Sequence, residues 1–295
     1  MKRKQFVLSI VLIFMTLFCL VGCTQRLELE KQEYSADTKI EKIVLDEVAM
    51  PLEIKEDAEI ENPRVVYYTH ERYKLDVSVI YASNTLKLER KFETTTFTPT
   101  YTFDTSCVTI IYLPENYDGE LNLETTTGSI KIEGISAKTL DINVTTGKIV
   151  LDNVNVDGDV SIDSTTGSIN VTSLEANKLS IDSTTGNIEV VNSNLKGRIE
   201  ADLTSGQITL KNTKAESIKA DLTTGSISFK KVEISTLIDA NLTTGDIEIS
   251  VVGKKEEFTT KLSSATGKTT GETEGGGKKI TCENTVGNIK VEYLG

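Results

Sequence analysis

The sequence predicts an all-β fold: a single-stack β-solenoid, parallel β-helix-like, with about nine coils of 19–20 residues and a β-rich N-terminal cap. Three observations carry this. A Thr-Thr-Gly-x-Ile motif or a near variant recurs around Gly128, Gly147, Gly167, Gly186, Gly206, Gly225, Gly245, Gly267 and Gly287, at intervals of 19, 20, 19, 20, 19, 20, 22 and 20. Repeats aligned on that glycine share apolar columns that alternate with polar ones, the period-2 signature of strands with one buried face. No stretch beyond the N-terminus shows the 3.6-residue periodicity of an amphipathic helix.

The first 22 residues read as an address. Lys2, Arg3 and Lys4 precede an apolar run from Phe6 to Leu20, the layout of a secretory signal peptide. Leu20-Val21-Gly22-Cys23 then looks like a bacterial lipoprotein cleavage motif, which implies cleavage before Cys23 and acylation of its thiol, with palmitate-type chains holding the protein on the extracytoplasmic face of the envelope. Two acyl chains anchor stably where one is marginal. Loss of residues 1–22 removes three cations and no acid, so the formal charge moves from −12 to −15. A body so acidic has no basic stripe for nucleic acid. The membrane is a partner through the N-terminal lipid alone.

Residues 23–38 read as a polar tether and 39–118 as a β-rich cap without Thr-Thr-Gly corners, in which Leu52/Ile54, Leu75/Val77/Val79 and Leu86/Leu88 alternate. Such a cap shields the open sheet edge of the first coil. Residues 119–295 hold the repeats. Seven and five positions before each glycine stand residues such as Leu140 and Ile142, and two and four after it residues such as Ile149 and Leu151. Each repeat therefore reads as strand, corner, strand and polar return, for example Glu133–Thr139. The glycine suits a corner that requires positive φ or a close approach. One coil cannot repay the entropy of ordering its backbone, so the coils must stack. Around Gly267 the columns fail at Thr269 and Gly271, and Gly275-Gly276-Gly277 follows, which reads as a looped-out or frayed coil before the last turn.

The Thr-Thr-Gly-x-Ile repeats, with Val108-Thr-Ile-Ile-Tyr-Leu-Pro114 and Leu121-Asn-Leu123 ahead of them, resemble a bacterial domain family of unknown function that carries the label "putative adhesin". The likeness covers roughly residues 40–295. It implies a β-solenoid on envelope proteins and lipoproteins, sometimes beside envelope-stress regulators, and it supplies no catalytic residues, cofactor or metal.

Four positions before the glycines, Asp163, Asp182, Asp202 and Asp221 would form a file at the roughly 4.8 Å spacing of stacked strands. Such a file reads either as a cation-binding stripe or as Asx caps on the corner amides. The Gly-rich nonapeptide of Ca²⁺-binding β-rolls is absent, which favours caps. Adjacent corner threonines are expected to point to opposite sides of a strand, unlike the outward pairs of an ice-binding face. Enzymatic function is disfavoured by one His in the chain, His70, and one Arg in the repeats, Arg198, with Lys219 and Lys261 isolated on outward columns. Cys107 and Cys282 fall near opposite ends of the stack, beyond disulfide reach. The reading is a non-catalytic, adhesion-type envelope module whose partner is an envelope protein or glycan. The alternatives are a structural or envelope-stress accessory without its own ligand and, more weakly, a carbohydrate-binding or polysaccharide-cleaving β-helix.

Overall fold

The computed structural model describes residues 25–92, 101–102 and 106–295, so residues 1–22 and Cys23 lie outside the described residues. The repeats stack as parallel strands in register. Leu140, Ile142 and Thr146 of the strand Thr139–Thr146 sit beside Val160, Ile162 and Thr166 of Asp159–Thr166, which in turn sit beside Leu179, Ile181 and Thr185. Inward columns are closed to solvent up to the layer of Ile280 and Ile289 and merge into one core.

The corner glycines are the tightest points of this packing. The amide of Gly147 donates to Thr166 O and that of Gly167 to Thr185 O, both at 3.0 Å. A Cβ added at Gly186 would land on the carbonyl oxygen of Gly167, and the same overlap recurs at Gly206, Gly225 and Gly245. From Gly167 to Gly245 φ lies between 134° and 153°, a region closed to other L-residues.

Six layers, those of Gly128 to Gly225, have a further corner and a third face that the alternation pattern does not reveal. Six residues after the glycine the chain turns through the left-handed region at Gly134, Asn153, Ser173, Asn192, Asn212 and Lys231, with φ of 49–60°. The supposed polar return is a short strand with its own inward positions, such as Val154 and Val156, or Leu174 and Ala176. In two layers this face buries Ser193 and Thr213 instead, whose hydroxyls donate to Val191 O at 3.0 Å and Lys211 O at 3.0 Å.

The stack begins earlier than the Thr-Thr-Gly repeat does. Lys42–Glu47 and Leu52–Glu56 form a complete layer under Glu120–Thr127 and Ile130–Ala137, and Thr85–Phe92 with Thr109–Leu113 form another beneath it. Among the described residues the nine glycine-cornered coils thus become eleven layers, and the segment 39–118 is as much solenoid as cap. Capping falls to antiparallel strands, Tyr73–Ile80 on Thr85–Phe92, Arg64–Thr69 on Thr109–Leu113, and Glu30–Ser35 on Arg64–Thr69. The expected tether is also corrected. Gln25–Arg26 pairs with Tyr101–Thr102, and Leu27 packs with Met50, Tyr73 and Cys107 in a second small core, against which Leu29 also packs, because burying these two leucines removes apolar surface from water.

In the second layer Glu47 and Met50 stand where the repeats carry Thr125 and Gly128. The fully buried Glu47 carboxylate accepts from the amide of Val48 (3.0 Å), Tyr73 OH (3.0 Å), and Nε and Nη2 of buried Arg90 (3.0 and 2.9 Å). Arg90 also donates to Tyr68 O at 2.7 Å and lies over the Tyr73 ring. Burial, then the charge of Glu47, pushes the Tyr73 hydroxyl well above the ordinary tyrosine range. This cluster ties the two lowest layers to the cap.

At the other end the chain order is transposed. Lys278–Val286 and Ile289–Leu294 insert between residues 237–252 and the coil of Phe258–Thr266 and Thr269–Thr270, so the degenerate coil is the outermost layer and not the penultimate one. The reason is polarity. Ile280, Cys282, Ile289 and Val291 lose their surface to neighbours on both sides, whereas Thr269 and Gly271 occupy the layer with only one neighbour. The Gly275–Gly277 run is a return loop: Thr260 and Thr273 exchange backbone hydrogen bonds at 3.0 and 3.3 Å, and Thr259 Oγ1 donates to Gly276 O at 2.7 Å. Cys107 and Cys282 are both buried and are not joined to each other, and burial first, then Asp239, pushes the Cys282 thiol up to about 12.

Two substitutions at glycine separate overlap from backbone strain. Gly134→Ala meets nothing within 4 Å and carries only a left-handed φ of 60°, so it should cost about 1 kcal/mol. Gly186→Ala adds collision with Gly167 and should cost roughly 3 kcal/mol or more. Thermal melts followed by circular dichroism check the order, and equal melting temperatures would contradict it. Arg90→Met, which strands the Glu47 carboxylate, should cost about 3–5 kcal/mol in urea titration.

Candidate functional site

A groove of about 1300 Å³ runs along the stack from Glu124 to Ser263 and Glu283. One wall is the file four positions before the glycines, the other is the file of first corner threonines, such as Thr165, Thr184 and Thr204. Between the two lies one inward position, such as Val144, Ser164 or Leu203, and both threonines of Thr145-Thr146 or Thr184-Thr185 are exposed, contrary to the opposite-sides expectation. Nine layers line the groove, giving a length of about 40 Å at 4.8 Å per step.

The four aspartates are adjacent in register as the repeat predicts: Asp163 pairs with Asp182, Asp182 with Asp202, and Asp202 with Asp221. Asn143 and Glu124 extend the file below, Asn241, Glu283 and Ser263 above. The expected cap on corner amides is made by other residues. Just after the glycines, Asn187 Oδ1 accepts from Gln207 N at 3.1 Å, Asp246 Oδ1 from Asn288 N at 2.7 Å, and Asn288 Oδ1 from Lys268 N at 3.1 Å. These side chains bridge from one layer to the next, while the aspartate file faces the groove. Its carboxylates form a line, and among the described residues no three His, Cys, Asp or Glu side chains converge as a metal cage.

Cations reach the file at one point. Lys219 pairs with Asp221 at 2.7 Å, and Asn241 Nδ2 donates to Asp221 Oδ1 at 2.8 Å. Although burial opposes it, these bonds hold the Asp221 carboxyl below the usual range. Arg198, exposed, is bound to Glu200 at 2.8 Å, with Lys178 at 3.5 Å from the same carboxylate. Lys261 is exposed in the outermost layer, and His70 lies in the cap, where its Nδ1 accepts from Arg72 N at 3.1 Å. The residues weighed for catalysis are thus scattered over separate layers. Asp163, Asp182 and Asp202 have no ion pair among the described residues. Burial, then the charges of Asp182 and Asp141, raises the Asp163 carboxyl. Burial also pushes Asp202 up to about 6, with Lys219 opposing and a shared hydrogen bond and charge from Asp221 adding to it. Neighbouring carboxylates at this spacing repel by roughly 1–3 kcal/mol per pair.

The family model described as Toastrack DUF4097 matches residues 40–292. The chain belongs to the Toastrack DUF4097 family. The matched span takes in the two lowest layers. Among solved structures, a putative adhesin from Bacteroides fragilis NCTC 9343 aligns over 90% of this chain and 97% of its own at 15% identity, with a TM-score of 0.48. A putative adhesin from Parabacteroides distasonis ATCC 8503 aligns over 92% and 100% at 14% identity and 0.46. A putative cell adhesion protein from Clostridium sporogenes ATCC 15579 aligns over 90% and 100% at 12% identity and 0.32. No curated protein matches the chain.

The raised Asp202 carboxyl has a signed consequence. The folded state binds this proton more tightly than the unfolded chain, so its contribution to stability is present near pH 4 and is lost as pH rises through about 6. For a groove carboxylate screened by solvent the loss is on the order of 1 kcal/mol. Asp202→Asn should therefore raise the melting temperature at pH 7.5 and flatten its slope between pH 4 and 6. A variant with an unchanged slope would contradict the assignment.

Proposed function

We propose that this Toastrack protein is a non-catalytic, extracytoplasmic binding module, anchored by lipid on Cys23, that takes an elongated ligand bearing cationic groups along its groove. The observation that carries this is the file of Asp163, Asp182 and Asp202, adjacent, unpaired and lining one continuous concavity. A ligand with spaced positive charges relieves repulsion that the empty groove retains, and the threonine wall offers hydroxyls as donors and acceptors. The charge before Phe6, the apolar run and Leu20-Val21-Gly22-Cys23 support the anchor. Among the described residues no helix is long and apolar enough to cross a membrane. Catalysis is not part of this reading, since the basic groups weighed for it, Arg198 and Lys219, are tied to Glu200 and Asp221.

Isothermal titration with an oligolysine probe tests the groove. Exposed ion contacts contribute about 0.2–1 kcal/mol each, so the triple substitution Asp163→Asn, Asp182→Asn and Asp202→Asn should weaken binding roughly tenfold. Equal affinity of parent and triple variant, or affinity indifferent to salt, sinks the proposal. Metabolic labelling with palmitate should mark the full chain and fail to mark Cys23→Ser.

A further inference from the structure

The folded body starts almost at the anchoring residue. Gln25 and Arg26 already pair with Tyr101 and Thr102, and Leu27, 5% exposed, is seated against Met50, Tyr73 and Cys107. The chain then runs directly into Glu30–Ser35, six pairs of antiparallel sheet with Arg64–Thr69, and Ala36 N donates to Pro63 O at 3.0 Å. Only Thr24 separates Cys23 from this structure. Two peptide steps reach at most about 7 Å, whereas the sixteen residues from 23 to 38 as a free tether would reach about 50 Å. A headgroup layer is about 5–8 Å deep on each side of the hydrocarbon.

We infer that the N-terminal end of the stack, formed by Glu30–Ser35 and the 70–72 turn, rests against lipid headgroups, and that the solenoid projects from the membrane with its groove leading outward. The inference depends on the lipid anchor at Cys23 proposed above. Whatever path Thr24 takes, the acylated residue cannot leave the interface, so the end of the stack joined to it must lie there too. Charge selects the direction. The end face carries exposed groups of both signs, Glu30, Glu33 and Glu71 against Lys31, Arg72 and Lys74. The groove side carries the aspartate file, and laying it on anionic lipid would be repulsive. Standing on its end, the stack lifts the groove, which begins at Glu124 in the third layer, about 10 Å or more above the cap, beyond the 8 Å Debye length of physiological salt. Eleven layers then carry the polar terminal coil roughly 50 Å away from the membrane.

The chain has no tryptophan, so single substitutions give clean reporters. Full-length protein extracted from membranes is placed in phosphatidylcholine–phosphatidylglycerol vesicles that contain a lipid with a headgroup nitroxide. Intact mass reports acylation of Cys23. Glu71→Trp, at the near end, should lose fluorescence to the nitroxide, and Lys268→Trp, in the outermost layer, should not. A twelve-residue Gly-Ser insertion between Thr24 and Gln25, outside every folded element, should restore the Glu71→Trp signal. Absence of the acyl mass overturns the anchor and the inference together. Acylated protein in which Glu71→Trp is unquenched, in which both reporters are quenched alike, or in which the insertion changes nothing, overturns the inference and leaves the anchor standing.

Discussion

Everything in this structure hangs on the corner where one layer's glycine lies beneath the next layer's carbonyl. Parallel strands can stack in register only if each corner repeats at the same height, and at Gly167, Gly186 and Gly206 the corner leaves no room for a Cβ. From Gly128 to Gly245 the chain therefore supplies a glycine in every layer, and the length of a turn fixes their period of 19 or 20 residues. Register has a chemical consequence too. Once corners coincide, every column becomes a file, and a residue type chosen at one offset is displayed at strand spacing along the whole molecule. The groove is two such files on either side of the inward column that carries Val144 and Leu203.

A stack solves its middle cheaply and its ends with difficulty, because the terminal layers bury only one side. The two ends use different chemistry. At the N-terminal end, antiparallel strands cover the first layer, and a buried carboxylate, Glu47, replaces corner geometry with direct bonds to amides, Tyr73 and Arg90. At the C-terminal end, the order of coils is exchanged so that Ile280, Cys282, Ile289 and Val291 are enclosed, while Thr269 and Gly271 are left outermost. The exchange requires the chain to climb two layers between Val252 and Phe258 and return through residues 271–277, which explains the glycines at 253, 271 and 275, all at positive φ.

The middle of the stack was legible from the sequence because its determinants are local and repeated: a glycine, two flanking hydroxyl residues and alternating aliphatics. The third face was not, since its corner accepts Gly134, Asn153, Ser173 or Lys231 and its inward positions range from Val154 to Ser193. The two lowest layers lack the glycine, and nothing local to residues 42–56 says that they lie between residues 85–113 and 120–137. Leu27 and Leu29 did signal an inward face where a tether was expected, and the loss of Ile at Thr269 signalled an end layer. At the groove, register placed the aspartates correctly, but amide capping belonged to Asn187, Asp246 and Asn288, whose offset puts their oxygens over the next layer's N–H groups.

The charge of the aspartate file is not something the fold demands. Asn143, Asn241 and Ser263 occupy the same column in layers of the same geometry, so a neutral side chain satisfies the register equally well. Carboxylates there oppose stability, since burial and mutual repulsion raise Asp163 and Asp202. Lysines are at hand on neighbouring columns, yet Lys219 bonds Asp221, reaches Asp202 only through its charge, and leaves Asp163 and Asp182 without a cation among the described residues. A packed interior would have driven such groups into pairs. A concave surface that leaves Asp163 and Asp182 without a cation, at strand spacing and opposite a hydroxyl wall, is the feature on which the proposed binding of a cationic ligand rests.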